Sequence, residues 1–327
     1  TAANGTTAVG HAALTALTSG ANNIAIGYQA LDALTTSAHN LAIGVDALGT
    51  GTYDCDYNVA IGNYTLDACT AGAAVTGNVA VGYAAGSAVT TSDNGVFVGY
   101  LAGNAITTGS NNVAIGSGAM DVATTVNNTV AIGYSAMGGV PAGQAVENAI
   151  AIGKEAMMGG ASTTDGINGN IAIGTSAGRL LTTGSGNTLV GYFAGDVLTT
   201  GQNNTLLGRH ALGAGDGDED DNTLIGYGSG DVIDNGNQIT CLGSGTDPST
   251  AAGANQTVIG YGTTGVADNS VTLGNASVTA VYMAQDSDTA GTGAVVHCLD
   301  VAPTGAVLHE NLLTNSGFDV WSNSTLE

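Results

Sequence analysis

A phrase close to "NNVAIG" (residues 111–116) returns sixteen times along this chain, and that period constrains the fold more than any other feature. Anchored on the closing glycine, the copies fall at Gly10, Gly27, Gly44, Gly62, Gly82, Gly99, Gly116, Gly133, Gly153, Gly174, Gly191, Gly208, Gly226, Gly243, Gly260 and Gly274. Most intervals are 17 or 18 residues, three are 20 or 21, and the last is 14. The residue before the anchor is Val, Ile or Leu in all sixteen, and the residue three after it is Ala, Ser or Thr in all sixteen. Asn stands four or five before the anchor in fourteen. A fixed period with small insertions marks a stack of like units, the extra residues bulging from one corner.

A period near 17 leaves no room for a strand and the crossover of roughly a dozen or more residues that carries a helix. The unit is therefore read as two short strands and two corners. "VAIG" is the first strand, and stretches such as "NAITT" (104–108) and "DVLTT" (196–200) are the second. Asn before the first strand and Gly after it tolerate the left-handed backbone that sharp corners need. The expected fold is all-β: a parallel β-solenoid, or β-roll, of about sixteen coils over 1–283. At ~4.8 Å per coil the stack would be roughly 75 Å long. Asn187, Asn204 and Asn222 are expected to form hydrogen-bonded ladders, as are the Thr pairs. Adjacent Thr199 and Thr200 point to opposite faces, so they do not make a flat hydroxyl array.

Composition narrows the function. The chain has 53 glycines and 3 Lys+Arg against 26 Asp+Glu, for a net charge of −23. That balance argues against nucleic-acid binding, which needs a basic stripe, and against docking on anionic membranes. No apolar run approaches the ~20 residues of a spanning helix. Charged residues are only 9% and hydrophobic residues 43%; apolar residues in strict register argue against disorder. Cys55, Cys69, Cys241 and Cys298 show no metal spacing and are expected to be buried free thiols. The chain begins inside a repeat, as a processed or partly represented polypeptide would.

In a strand, neighbours point to opposite faces. Val113 and Ile115 share one face and Ala114 takes the other, so both faces are apolar, as in a strand covered on both sides. One face can pack inside its own coil; the other needs a further copy of the chain. The alanine column is assigned to that interface, near an axis shared between chains: Ala25, Ala42, Ala60, Ala80, Ala114, Ala131, Ala151 and Ala172, continued by Leu189, Leu206 and Leu224. Because this column changes from Ala to Leu while the residue before it changes from Val/Ile/Leu to Thr, a change of packing with a wider axial layer is expected near residue 180. Tyrosine follows the anchor in seven copies, as at Tyr100 and Tyr134, which is read as packing over a partly exposed corner.

Catalytic signatures do not emerge. The histidines share no metal spacing, no GxSxG elbow stands in a His/Asp context, and no paired-carboxylate column recurs. The chain is read as non-catalytic and without a cofactor. The densest acidic run, "GDGDEDDN" (215–222), places Asp216, Asp218 and Asp220 in alternation, a candidate calcium site weighed against a solvated acidic loop.

The stretches "NNVAIGSGAM", "NNIAIGYQAL" and "NSVTLGNASV" resemble head repeats of trimeric autotransporter adhesins, the YadA-type head, in the version that also occurs in bacteriophage tail fibres. The resemblance covers roughly 1–283. It implies a left-handed β-roll, a homotrimer with the "VAIG" strands inside, and a structural fibre exposed on a virion or a bacterial cell surface. Its partners would be two further copies of itself and a host-surface glycan or protein, with no nucleic acid and no membrane insertion in this segment. A bacterial surface adhesin is the alternative, and a glycan-degrading spike a third reading. Residues 284–309 read as an irregular neck. The segment "ENLLTNSGFDVWSNSTLE" (310–327) looks like the opening of a carbohydrate-binding β-sandwich.

Overall fold

The computed structural model describes residues 4–50, 55–69, 75–140, 143, 145–159, 166–215 and 217–279. The proposed neck, the β-sandwich opening, Cys298 and Asp216 lie outside them. Sixteen short strands, from Thr7–Val9 to Ser270–Leu273, form one parallel sheet in which each strand pairs with the "VAIG" strand of the next copy. This makes a β-solenoid of about fifteen full turns with no helix among the described residues. Register is kept column by column, as in Ala114 against Ala131 and Leu189 against Leu206. The longer copies hold it too: Ala131 pairs with Ala151 across a 20-residue interval, so the extra residues leave the strand register unchanged.

The anchor glycine is required by the stacking itself. Gly27 has φ 141°, and a Cβ there would lie 2.1 Å from the carbonyl oxygen of Gly44 in the next coil. Beyond the anchor the chain turns through left-handed residues at every second position, as at Gln29 (φ 54°) and Leu31 (φ 52°). Gln29 N–H donates back to His11 of the preceding coil, and Leu31 N–H donates forward to Ala47 of the next. A left-handed leucine costs ~1–2 kcal/mol of backbone energy. Leu31 is fully buried, and burying such a side chain returns ~1.5–3 kcal/mol.

The expected second strand is not regular. Among the described residues only Thr125–Asn127 and Ala145–Glu147 pair as strands on that side, with isolated bridges such as Thr108 to Thr125. Elsewhere threonines take over the stacking. Thr90 gives both its N–H and its hydroxyl to the Thr107 carbonyl, at 2.9 Å each, and Thr91 N–H joins them at 3.2 Å. With one carbonyl receiving three donors, the even ladder of a parallel sheet cannot form. The asparagine ladders are present as expected. Asn187 Oδ1 accepts the N–H and the Nδ2 of Asn204, at 2.9 and 3.0 Å, while its own Nδ2 donates to the Gly201 carbonyl at 2.9 Å. Asn170, Asn187, Asn204 and Asn222 are all fully or almost fully buried, and the ladder gives their amides the partners that buried polar groups require.

The middle residue of each strand points into the coil, where space is shared with the residue four after an anchor. Where a strand and the next one both carry alanine, the corner between them carries Leu31, Leu48, Leu66, Met120, Met137 or Met157, all fully buried. Where the strand carries a large residue, a neighbouring corner carries glycine. A Cβ on Gly103 would lie 2.5 Å from Phe97, on Gly178 2.7 Å from Leu189, on Gly195 2.8 Å from Leu206 and on Gly230 2.7 Å from Leu224. Leu212 alone in this group keeps a leucine beside the leucine-bearing strands. Side-chain volume thus moves between strand and corner so that the coil stays filled, as close packing demands.

This overturns the assignment of the alanine column to an interface. Ala25, Ala42, Ala60, Ala80, Ala114, Ala131, Ala151, Ala172, Leu189, Leu206 and Leu224 have no exposed surface in a single chain. They face the coil interior because the narrow coil admits a leucine or methionine from the corner only opposite a methyl group. The change near residue 180 is real, but Gly178 and Gly195 absorb it inside the coil.

Candidate interaction surface

With the alanines turned inward, the outward positions of the strand are those on either side of them. The residue before each anchor is aliphatic in all sixteen copies, and Val9, Ile26, Ile173, Leu207, Leu242 and Ile259 are among the exposed ones. The other outward column is aliphatic from Ile24 through Ile171, with Val113 and Val130 partly exposed, and then becomes Thr188, Thr205, Thr223, Thr240 and Thr257. Two parallel columns of aliphatic side chains therefore run along the sheet, one giving way to hydroxyls. Nothing within the described residues covers them. Tyr28, Tyr83, Tyr100, Tyr134, Tyr192, Tyr227 and Tyr261 stand exposed at the corner beside this stripe. Some stack along the column: Tyr83 on Tyr100 at 5.5 Å between centroids and 16° between planes. No protein-family model matches the chain. No curated protein matches it either. The surface must be read from its own chemistry.

The described carboxylates of the acidic run are built into the stacking. Asp218 accepts the Thr200 hydroxyl at 2.7 Å and Asp220 accepts Gln202 N–H at 2.7 Å. Among the described residues no three His, Cys, Asp or Glu side chains converge on a point. Sequence reasoning missed the role of Glu219. Its side chain is fully buried and fills the space left by Gly215, whose Cβ would lie 2.6 Å from the Glu219 carboxyl carbon. Glu219 Oε1 accepts Asn235 N–H at 3.0 Å and Gly217 N–H at 3.3 Å. The signal was a glycine at Gly215, seven after its anchor, where other coils carry Leu34, Ile106 or Leu198.

Cys55, Cys69 and Cys241 are buried thiols outside any disulfide, as expected. The neighbouring Cys55, then burial, push the Cys69 thiol up; burial pushes Cys241 up to about 12. Neither is a nucleophile at neutral pH.

Several carboxyls share one bias. Burial raises Asp67, Asp121 and Asp196, and burial together with the adjacent Asp231 raises Asp247 to about 6. A carboxyl raised above its unfolded value stabilises the fold when protonated, and that contribution is lost as pH rises through the folded value. The melting temperature is therefore expected to rise as pH falls from 7.5 to 5. Asp247→Asn is expected to stabilise the chain at pH 7.5 and to weaken the pH dependence. Thermal melts of both proteins across that range check this; a melting temperature that falls steadily toward pH 5 would contradict it.

Proposed function

We propose that the chain is a structural, non-catalytic segment of an extracellular attachment fibre of the phage tail-fibre type, in which three copies lie side by side with their aliphatic stripes turned toward one another. The observation that carries this reading is the pair of outward columns around each alanine. A contiguous exposed apolar stripe of this kind marks an interaction surface. It also repeats at the coil spacing, so a partner that covers its length must repeat at the same spacing. A further copy of the chain does so. The resemblance to YadA-type heads supplies the number three and the surface-attachment role. A host-surface glycan or protein is the partner expected for the assembled fibre.

The test is the native mass of the purified chain. A particle of three 31.7 kDa chains is expected. Replacing outward residues in two adjacent coils, Ile115→Lys with Ile132→Lys, should release single chains that keep the β-sheet circular dichroism of the parent. A wild-type chain that stays monomeric at micromolar concentration overturns the reading.

A further inference from the structure

The corner beside the stripe holds two versions of one arrangement. In the first, Tyr192, Arg209 and Tyr227 follow three successive anchors, so the two rings are separated by one coil. The Arg209 guanidinium lies between them, 5.6 Å from one ring centroid and 5.5 Å from the other, within the ~6 Å range of cation–π attraction. Two tyrosines at this spacing thus hold a planar cation between their faces.

In the second version, Tyr100, Ser117 and Tyr134 occupy the same three positions, and serine leaves the middle open. A cleft of about 180 Å³ lies there, lined by both tyrosines, Leu101, Ser117, Gly118, Asp121 and Ser135. Tyr100 and Tyr134 are 55% and 57% exposed, so their rings are open to a ligand. Tyr100 is backed by its stack on Tyr83, which meets Tyr64 edge-on at 5.7 Å. The Asp121 side chain lines the cleft. Its Oδ2 lies 3.2 Å from where a Gly118 Cβ would sit, and Gly138 in the next coil leaves room beside Oδ1. No lysine or arginine pairs with it: Lys154 is bound to Glu155 at 3.3 Å, and Arg179 and Arg209 belong to coils further along. Among the described residues the hydroxyls of Ser117 and Ser135 have no hydrogen-bond partner.

We propose that this cleft binds a guanidinium group carried by a partner or ligand, held between Tyr100 and Tyr134 with its N–H groups donating to Asp121. Charge favours a cation over a neutral sugar: the cleft holds an unpaired carboxylate on a chain of net charge −23. The chain's own Arg209 shows which group fits the spacing. A third column, Tyr227–Ser244–Tyr261, has Pro248 where this one has Asp121, so one site per chain is expected.

N-acetyl-L-arginine methylamide, titrated into the full chain at low salt and followed by saturation-transfer NMR and calorimetry, tests the proposal. Millimolar binding at one site is expected, as a single exposed group of this kind allows. Asp121→Asn and Tyr134→Ala should each weaken it at least fivefold. Ser117→Arg should place a guanidinium where Arg209 sits in the other column and abolish binding without lowering the melting temperature. Binding undiminished by Asp121→Asn or Ser117→Arg overturns the proposal. So does binding of methyl α-glucopyranoside or choline at least as tight as that of the arginine probe.

Discussion

Gly116→Ala is expected to break the solenoid at that coil. The added methyl would lie 2.4 Å from the carbonyl oxygen of Gly133 and 2.7 Å from its carbonyl carbon, both backbone atoms. Neither atom can swing aside. Relief requires the two coils to part or the anchor to leave φ 131°, and each route breaks the Gly133 N–H to Ile115 carbonyl bond of 2.8 Å. Backbone strain and lost stacking together should exceed ~4 kcal/mol, the range in which single substitutions are exceptional. Because each coil contacts only its neighbours, the damage should be local, giving two unfolding transitions in place of one. The control is Gly169→Ala. Gly169 is also left-handed, at φ 67°, but a Cβ there meets nothing within 4 Å. Only the conformational penalty of ~1–2 kcal/mol applies. Urea unfolding with hydrogen exchange resolved by coil separates the two variants. Equal, small losses for both would show that the anchor column is not held by backbone contact.

The period, the register, the asparagine ladders and the anchor glycines were legible because each recurs as a column, and a column of one residue type has one structural cause. The direction of the strand was not. Alternation says that Val113 and Ile115 lie opposite Ala114, but when both faces are apolar it does not say which is inside. The deciding signal was present and reads across coils: Phe97 stands with Gly86 and Gly103 around it, whereas successive alanine strands have Leu or Met corners between them. That reciprocity makes sense only if both positions fill one cavity. The second strand was misread for a related reason. "NAITT" has β-prone residues, but the left-handed positions at Leu101 and Gly103 hand its stacking to Thr107 and its neighbours. The cleft beside Tyr100 depended on what is missing from a column. The tyrosines were visible as a row, and the serine between two of them gained meaning only from Arg209 in the equivalent place.

If volume is shared between strand and corner, it can be moved deliberately. The Gly226 coil has Leu212 in the corner before it, Leu224 in its strand and Gly230 in its own corner. The Gly133 coil has Met120, Ala131 and Met137 at the same places. Ala131→Leu alone adds a branched side chain to a filled space and should cost ~1–3 kcal/mol or more from overpacking. Met137→Gly alone leaves a cavity and should cost at least the ~2–5 kcal/mol of a methionine truncation to alanine, less the relief of removing the left-handed strain at φ 53°. The double variant reproduces the arrangement around Leu224 and should cost less than ~2 kcal/mol, leaving a coupling of several kcal/mol between positions six residues apart in sequence. Chemical denaturation of the parent and the three variants measures it. Simple additivity would mean that Ala131 and Met137 do not fill one space, and the inward direction of the alanine column would then have to be abandoned. Strong coupling would tie both residues to the interior of a single coil and leave Val130 and Ile132 as the face available to other chains.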